Sequence, residues 1–155
     1  MANLIWIHDE ALRHDHPVFT HDDRTGDKAG DTKAVYVWDN AYMANMHMGI
    51  KQRVFIYEAL CELPLEIYEG NTASVLTELA DGGVVKTAAT PNKLLQQVMD
   101  DVGQSCRVVQ IHDDVFAHLK TMPALKRFFK YWNAAKSSAM QPHGGTPDLF
   151  SDHDR

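Results

Sequence analysis

Strand-length apolar runs alternate with helix-length amphipathic segments along most of this 155-residue chain, and that alternation limits the fold more than any other feature. Strands are expected near 3–7, 34–38, 65–68, 84–88 and 106–111, with helices near 49–63, 72–81, 91–102 and 122–136. Strands joined through helices pair in parallel, because a parallel connection needs a crossover of a dozen residues or more. The order therefore predicts an α/β fold: a three-layer α/β/α arrangement with a five-stranded parallel sheet wound by right-handed crossovers. Leu4, Ile5, Trp6 and Ile7 form a continuous apolar run rather than an alternating one, which predicts a central strand covered on both faces.

Local punctuation supports these boundaries. Asn71 or Thr72 is a suitable N-cap after Gly70, Gly82-Gly83 a suitable exit, Pro91 suits the first turn of the next helix and Gly103 its end. Residues 20–33, rich in Gly, Asp and Thr without an apolar period, read as a surface loop. The expected organisation is one α/β domain over 1–140 and a flexible tail over 141–155, in which Leu149 and Phe150 form a small apolar clip.

Hydrophobic residues make up 45% of the chain and charged residues 23%, so enough apolar surface is present for one packed core. The formal charge of −6 argues against direct DNA binding, since affinity for duplex comes largely from Lys and Arg neutralising phosphates. The best local basic patch, Lys126, Arg127 and Lys130 among Phe128, Phe129, Tyr131 and Trp132, reads better as an amphipathic helix with solvated charges than as a single-strand platform. Cys61 and Cys106 sit in apolar runs without metal or redox spacing and are expected to be buried, reduced thiols. No apolar stretch approaches the ~18 residues of a membrane span, and the amino terminus lacks a signal-peptide core, so a cytoplasmic protein without membrane attachment is expected.

In open α/β sheets ligands bind beyond the carboxyl ends of the strands, where strand order reverses. That rule selects His8, Asp9 and Glu10 after the first strand, Asp39, Asn40 and Tyr42 after the second, and Glu69 and Gly70 after the third. It also reaches Ala89, Thr90, His112, Asp113 and Asp114. The favoured binding residues are His8, Asp9, Glu10, Asp39, Asn40, Glu69 and Gly70. No glycine-rich phosphate loop and no nucleophile elbow is present, which argues against dinucleotide dehydrogenases, P-loop NTPases and serine hydrolases. The pairs His8-Asp9, His14-Asp15-His16, His21-Asp22 and His112-Asp113 offer metal-type ligands, but neighbouring residues on a strand point to opposite faces and no i, i+4 pair occurs. A metal-dependent hydrolase is accordingly the weakest alternative, and no catalytic or metal residue is assigned.

Five segments in order carry a family resemblance. LIWIHDEALRHDHP (4–17) follows the pattern L-[VI]-W-F-R-R-D-L-R-L-x-D-N-P through Trp6, His14, Asp15 and Pro17, with His8, Asp9 and Leu12 at its basic positions and Glu10 at its acidic one. AVYVWDN (34–40), RVFIYEAL (53–60), LEIYEGNTASVLTELA (65–80) and MPALKRFFKYWNAAK (122–136) match later segments. Together they resemble the N-terminal, Rossmann-like α/β domain of the photolyase/cryptochrome family. The resemblance implies a domain that houses an antenna chromophore: a flavin, folate or deazaflavin. In deoxyribodipyrimidine photolyase, a DNA-repair lyase, the FAD and the lesion chemistry belong to a helical domain with no counterpart in these 155 residues. FAD held in the photolyase manner and repair by this chain alone are therefore not expected. The expected function is a stand-alone photolyase-like module binding a small molecule (flavin, folate or nucleotide), not a complete enzyme. The alternative is an interaction or structural protein that keeps the fold without a ligand.

The segment 122–136 bridges toward the catalytic domain in that family. Leu125, Phe128, Phe129 and Trp132 lie at i, i+3, i+4 and i+7 and are expected to form one stripe packed on the domain's own sheet. Tyr131 and Met140 would be left for a homodimer or a separately encoded partner.

Overall fold

The computed structural model describes residues 1–19, 32–113, 119 and 128–140. The chain divides into two compact units, 1–113 and 114–155. The first unit holds a five-stranded, all-parallel sheet: β1 (Asn3–Trp6), β2 (Thr32–Trp38), β3 (Glu66–Glu69), β4 (Val84–Ala88) and β5 (Arg107–Ile111), in the spatial order β3-β2-β1-β4-β5. Helices α1 (Asn40–Asn45), α2 (Ile50–Cys61), α3 (Thr72–Ala80) and α4 (Lys93–Gly103) connect the strands, and a short 3₁₀ turn, Pro17–Phe19, follows β1. The fold is thus a three-layer α/β/α arrangement.

Alternation along the strands decides the layers. Leu4 and Trp6 of β1, Val35 and Val37 of β2 and Val85 of β4 pack with Leu76 and Ala80 of α3 and Leu95, Met99 and Val102 of α4. The opposite face buries Tyr36 under Met43, Ile56 and Leu60 of α1 and α2, and Ile7 and Ile111 with Val18 of the 3₁₀ turn. Steps from β1 to β2 to β3 therefore run over one face, and those from β3 to β4 to β5 over the other. β1 is hydrogen-bonded to β2 and β4 on its two edges, and Leu4, Trp6 and Ile7 are buried, as their continuous apolar run predicts.

The helix ends show where sequence punctuation applies. Asn71 caps α3 by accepting from the Ser74 amide at 3.0 Å. Asp81, in the left-handed conformation with φ of 47°, ends α3, and Gly82 continues the turn with φ of 73°. Gly83 is required for a different reason: a Cβ there would lie 2.1 Å from the Ala2 carbonyl oxygen, so β1 and β4 enter the sheet too close together for any side chain. Pro91 stands before the N-cap of α4 rather than in its first turn, because the Asn92 side chain caps the helix by accepting from Leu94. Cys106 is buried, but Cys61 is exposed, since the last turn of α2 directs it away from Ile56 and Leu60. The loop 20–31, His21-Asp22, Asp114, Leu125, Lys126, Arg127 and the tail with Leu149 and Phe150 lie outside the described residues.

In the second unit, α5 (Phe128–Ala139) carries the aromatic stripe. Phe128 and Phe129 are 68% and 75% exposed and Trp132 is half-buried, while Ala135 is the buried position. The rings instead contact one another: Phe128 stacks on Trp132 with centroids 6.3 Å apart and meets Phe129 edge-on at 5.8 Å. Phe128→Ala should lower stability by less than about 1 kcal/mol, rather than the ~3–5 kcal/mol of a core truncation, in a urea titration followed by circular dichroism. A second prediction concerns the Thr87 hydroxyl on β4, which is fully buried without a hydrogen-bond partner among the described residues. Thr87→Val should raise stability by about 1 kcal/mol in the same assay, because it removes an unsatisfied polar atom at nearly constant shape.

Candidate functional site

The carboxyl edge is built around one carboxylate. Asp39 ends β2, is 5% exposed and accepts four hydrogen bonds. Its Oδ1 takes the amides of Ala41 and Tyr42, both at 3.0 Å, which starts α1. Its Oδ2 takes the amide and the hydroxyl of Thr72, at 2.8 and 3.0 Å, which anchors the start of α3. Burial alone would raise the Asp39 carboxyl, but the bonds from Tyr42, Thr72 and Ala41 together outweigh it and hold the group below its ordinary value. Asp39, predicted as a ligand residue, is thus a brace between two helices with its lone pairs already engaged. The α1 turn that it caps falls where a loop is expected from the sequence. The signal is Asp39 itself followed by Asn-Ala-Tyr-Met-Ala-Asn, an acidic N-cap before a helix-forming run.

His8 is likewise structural. It is buried, its Nδ1 accepts from the Glu10 amide at 3.3 Å and its Nε2 reaches the Ala88 carbonyl at 3.1 Å. With Nδ1 accepting, Nε2 carries the proton and donates, so the ring ties the end of β1 to the end of β4. His16 has the same character: it is buried, its Nδ1 accepts from Val18 at 3.0 Å, and desolvation lowers its pKa against the opposing field of Asp113. Among the described residues, no group of three His, Cys, Asp or Glu side chains converges as a metal site.

Asp9 and Glu10 do come together with partners beyond their own loop. Strand order reverses between β1 and β4, so the loops after these two strands diverge at the switch point. There the Tyr42 hydroxyl donates to Asp9 Oδ1 at 2.8 Å, and Asn92 Nδ2 donates to Glu10 Oε1 at 3.0 Å. The Thr90 hydroxyl donates to the other oxygen of Glu10. Burial, together with the bond to Asp9, pushes the Tyr42 phenol well above its ordinary pKa and keeps it a donor. Tyr42 and Thr90 lie among the strand-end residues that the switch-point rule selects; Asn92 does not, and no local pattern marks it apart from its capping position.

The other predicted residues lie beside β2 and β3. Asn40 Nδ2 donates to Glu69 Oε1 at 3.2 Å, and Gly70 turns the chain into α3 with φ of 148°. Glu69 also borders an open cavity of about 330 Å³ lined by Trp38, Tyr57, Ile67 and Tyr68. Trp38 and Tyr57 meet edge-on with centroids 6.4 Å apart at its wall. Trp38, Tyr57, Ile67 and Tyr68 are the lining residues that sequence reasoning missed, because helix and strand periodicity assigns them to no loop. Glu69 therefore meets both a cavity and a hydrogen-bond partner. The predicted set divides into a brace (Asp39), a tie (His8), a switch-point network (Asp9, Glu10) and a slot margin (Asn40, Glu69, Gly70).

Phosphate is a poor match for this edge. The helix starts are capped from within, α1 by Asp39, α3 by Asp39 and Asn71, and α4 by Asn92. Asp9, Glu10 and Glu69 add negative charge, and Arg13 is already bonded to Asp113 and Asp15. An anion would meet occupied amides and repelling carboxylates. No family model, curated protein or solved structure matches the chain. No helix among the described residues is long and apolar enough to cross a membrane.

Asp39→Asn should weaken capping at two helices. A single N-cap is worth ~1 kcal/mol and up to about 2, so a loss of ~2–4 kcal/mol is expected near neutral pH. Because the folded-state pKa is depressed, this stabilisation is complete above the unfolded value of ~3.9 and is lost as pH falls through the lower folded value. Urea titrations of wild type and variant from pH 7 downward should show the gap narrowing below about pH 4.

Proposed function

We propose that this chain is a small-molecule-binding α/β module, related to the photolyase N-terminal domain, that holds a planar heterocycle in the slot between α2 and β3. The observation that carries the reading is the aromatic slot opening beside Glu69 at the carboxyl end of the edge strand β3, away from the switch point between β1 and β4. Trp38 and Tyr57 supply aromatic surface, and Glu69, steadied by Asn40, accepts hydrogen bonds from ring N–H or amino groups. A flavin, deazaflavin, pterin or nucleobase ring presents such donors. The acidic edge with its internally capped helices favours recognition through the ring rather than through a phosphate tail. Asp9 and Glu10 act one step away, fixing Tyr42 and the loop after β4.

The exposed rings of Phe128 and Phe129 favour a second reading, in which α5 docks a separately encoded partner or another copy. Fluorescence and calorimetric titration with riboflavin against flavin mononucleotide, and adenosine against its monophosphate, separates the possibilities. The ring-led reading expects the unphosphorylated member of a pair to bind at least as tightly, and Glu69→Gln to weaken it roughly tenfold, the worth of one hydrogen bond to a charged acceptor. Absence of binding by every probe, or tighter phosphate-dependent binding indifferent to Glu69→Gln, would overturn it.

A further inference from the structure

Helix α2 carries two apolar stripes, one packed on the sheet and one turned outward, of which Tyr57 alone meets an aromatic ring of its own fold, Trp38. Ile56 and Leu60 face the sheet and are buried with Tyr36 and Met43. Ile50, Val54, Tyr57 and Cys61 recur at i, i+4, i+7 and i+11, the alternating spacing of a coiled-coil seam, and therefore align along one side of the helix. That side is open: Ile50 is 78% exposed, Val54 49% and Tyr57 54%, and Cys61 is also exposed. Four residues of this size, aligned over ~16 Å of helix, form a ridge of the kind that a second helix covers.

The stripe is self-complementary in a single orientation. Turned about a twofold axis between positions 55 and 56, an antiparallel copy sets Ile50 against Cys61 and Val54 against Tyr57, so a smaller side chain meets a larger one in the central layers. Lys51 and Glu58 flank the stripe on the same side, and the same rotation brings Lys51 of each copy next to Glu58 of the other, giving two symmetry-related opposite-charge pairs. The other flank holds Arg53, whose Nε already donates to the Met48 carbonyl at 3.3 Å, and the buried Leu60. A parallel pair would instead stack Tyr57 on Tyr57 and Cys61 on Cys61.

We infer that the exposed face of α2 docks a second copy of this chain as an antiparallel helix pair, forming a homodimer distinct from any contact made by α5. The register is tested by disulfide trapping with the native Cys61. Ile50→Cys should form a covalent dimer under mild oxidation on a non-reducing gel, while wild type, whose two Cys61 residues lie at opposite ends of the seam, should not. Sedimentation equilibrium provides the independent test: Glu58→Lys should raise the dimer dissociation constant roughly tenfold, and adding Lys51→Glu should restore it. Both positions are exposed, so loss of folding is not the expected cause, and circular dichroism checks this. Spontaneous Cys61 cross-linking in wild type, a monomeric wild type, or a dimer that survives Glu58→Lys but is lost in Phe129→Ser would each overturn the inference. Tyr57 belongs to both the seam and the slot beside Glu69, so the dimer covers one wall of that slot; Ile50, Lys51, Glu58 and Cys61 do not line it, and substitutions at these positions therefore report on the dimer without touching the ligand contacts.

Discussion

One carboxylate organises the functional edge of this protein. Asp39 sits at the end of β2, where the chain must turn into α1, and also where α3 begins after β3. A buried charge is tolerable only when its lone pairs are engaged, and here three amides and a hydroxyl engage them. The same four bonds fix the directions of two helices relative to the sheet. Tyr42 on α1 is thereby delivered to Asp9, and Glu69 is held at the margin of the aromatic slot by Asn40, the first residue of the helix that Asp39 caps. Remove the carboxylate and the strand ends remain, but the groups that depend on α1 lose their register.

That economy has a chemical consequence. Carboxylate and amide side chains that cap helices from within occupy the positions a phosphate would take in many α/β proteins. The edge is left with acceptors and aromatic rings, which suit a flat, donor-bearing ligand more than an anionic one. Trp38, Tyr57 and Glu69 place aromatic surface beside a hydrogen-bond acceptor.

The outer surface follows a different logic. Helix α2 is nearly as apolar on its outward side as on its inward side, which a monomer's stability does not require. The rings of α5 form a second exposed cluster through mutual stacking.

The strands and most of the helices were legible in the sequence because each rests on local physics: the continuous run Leu4–Ile7 needs two covered faces and Asn71 satisfies the first amides of a helix, whereas the need for Gly83 beside Ala2 comes from the fold. Candidate residues at strand ends were legible for the same reason, since topology alone sends the loops to one edge. Their roles were not. Asp39 and His8 carry the same chemistry whether they bind a ligand or brace a backbone, and only the positions of Thr72 and Ala88, 33 and 80 residues away, assign them to bracing. The aromatic stripe of α5 and the outer face of α2 make the same point in reverse. Helical periodicity determines which side chains share a face, but what that face meets is decided by tertiary packing, because burial depends on surfaces supplied by distant parts of the chain.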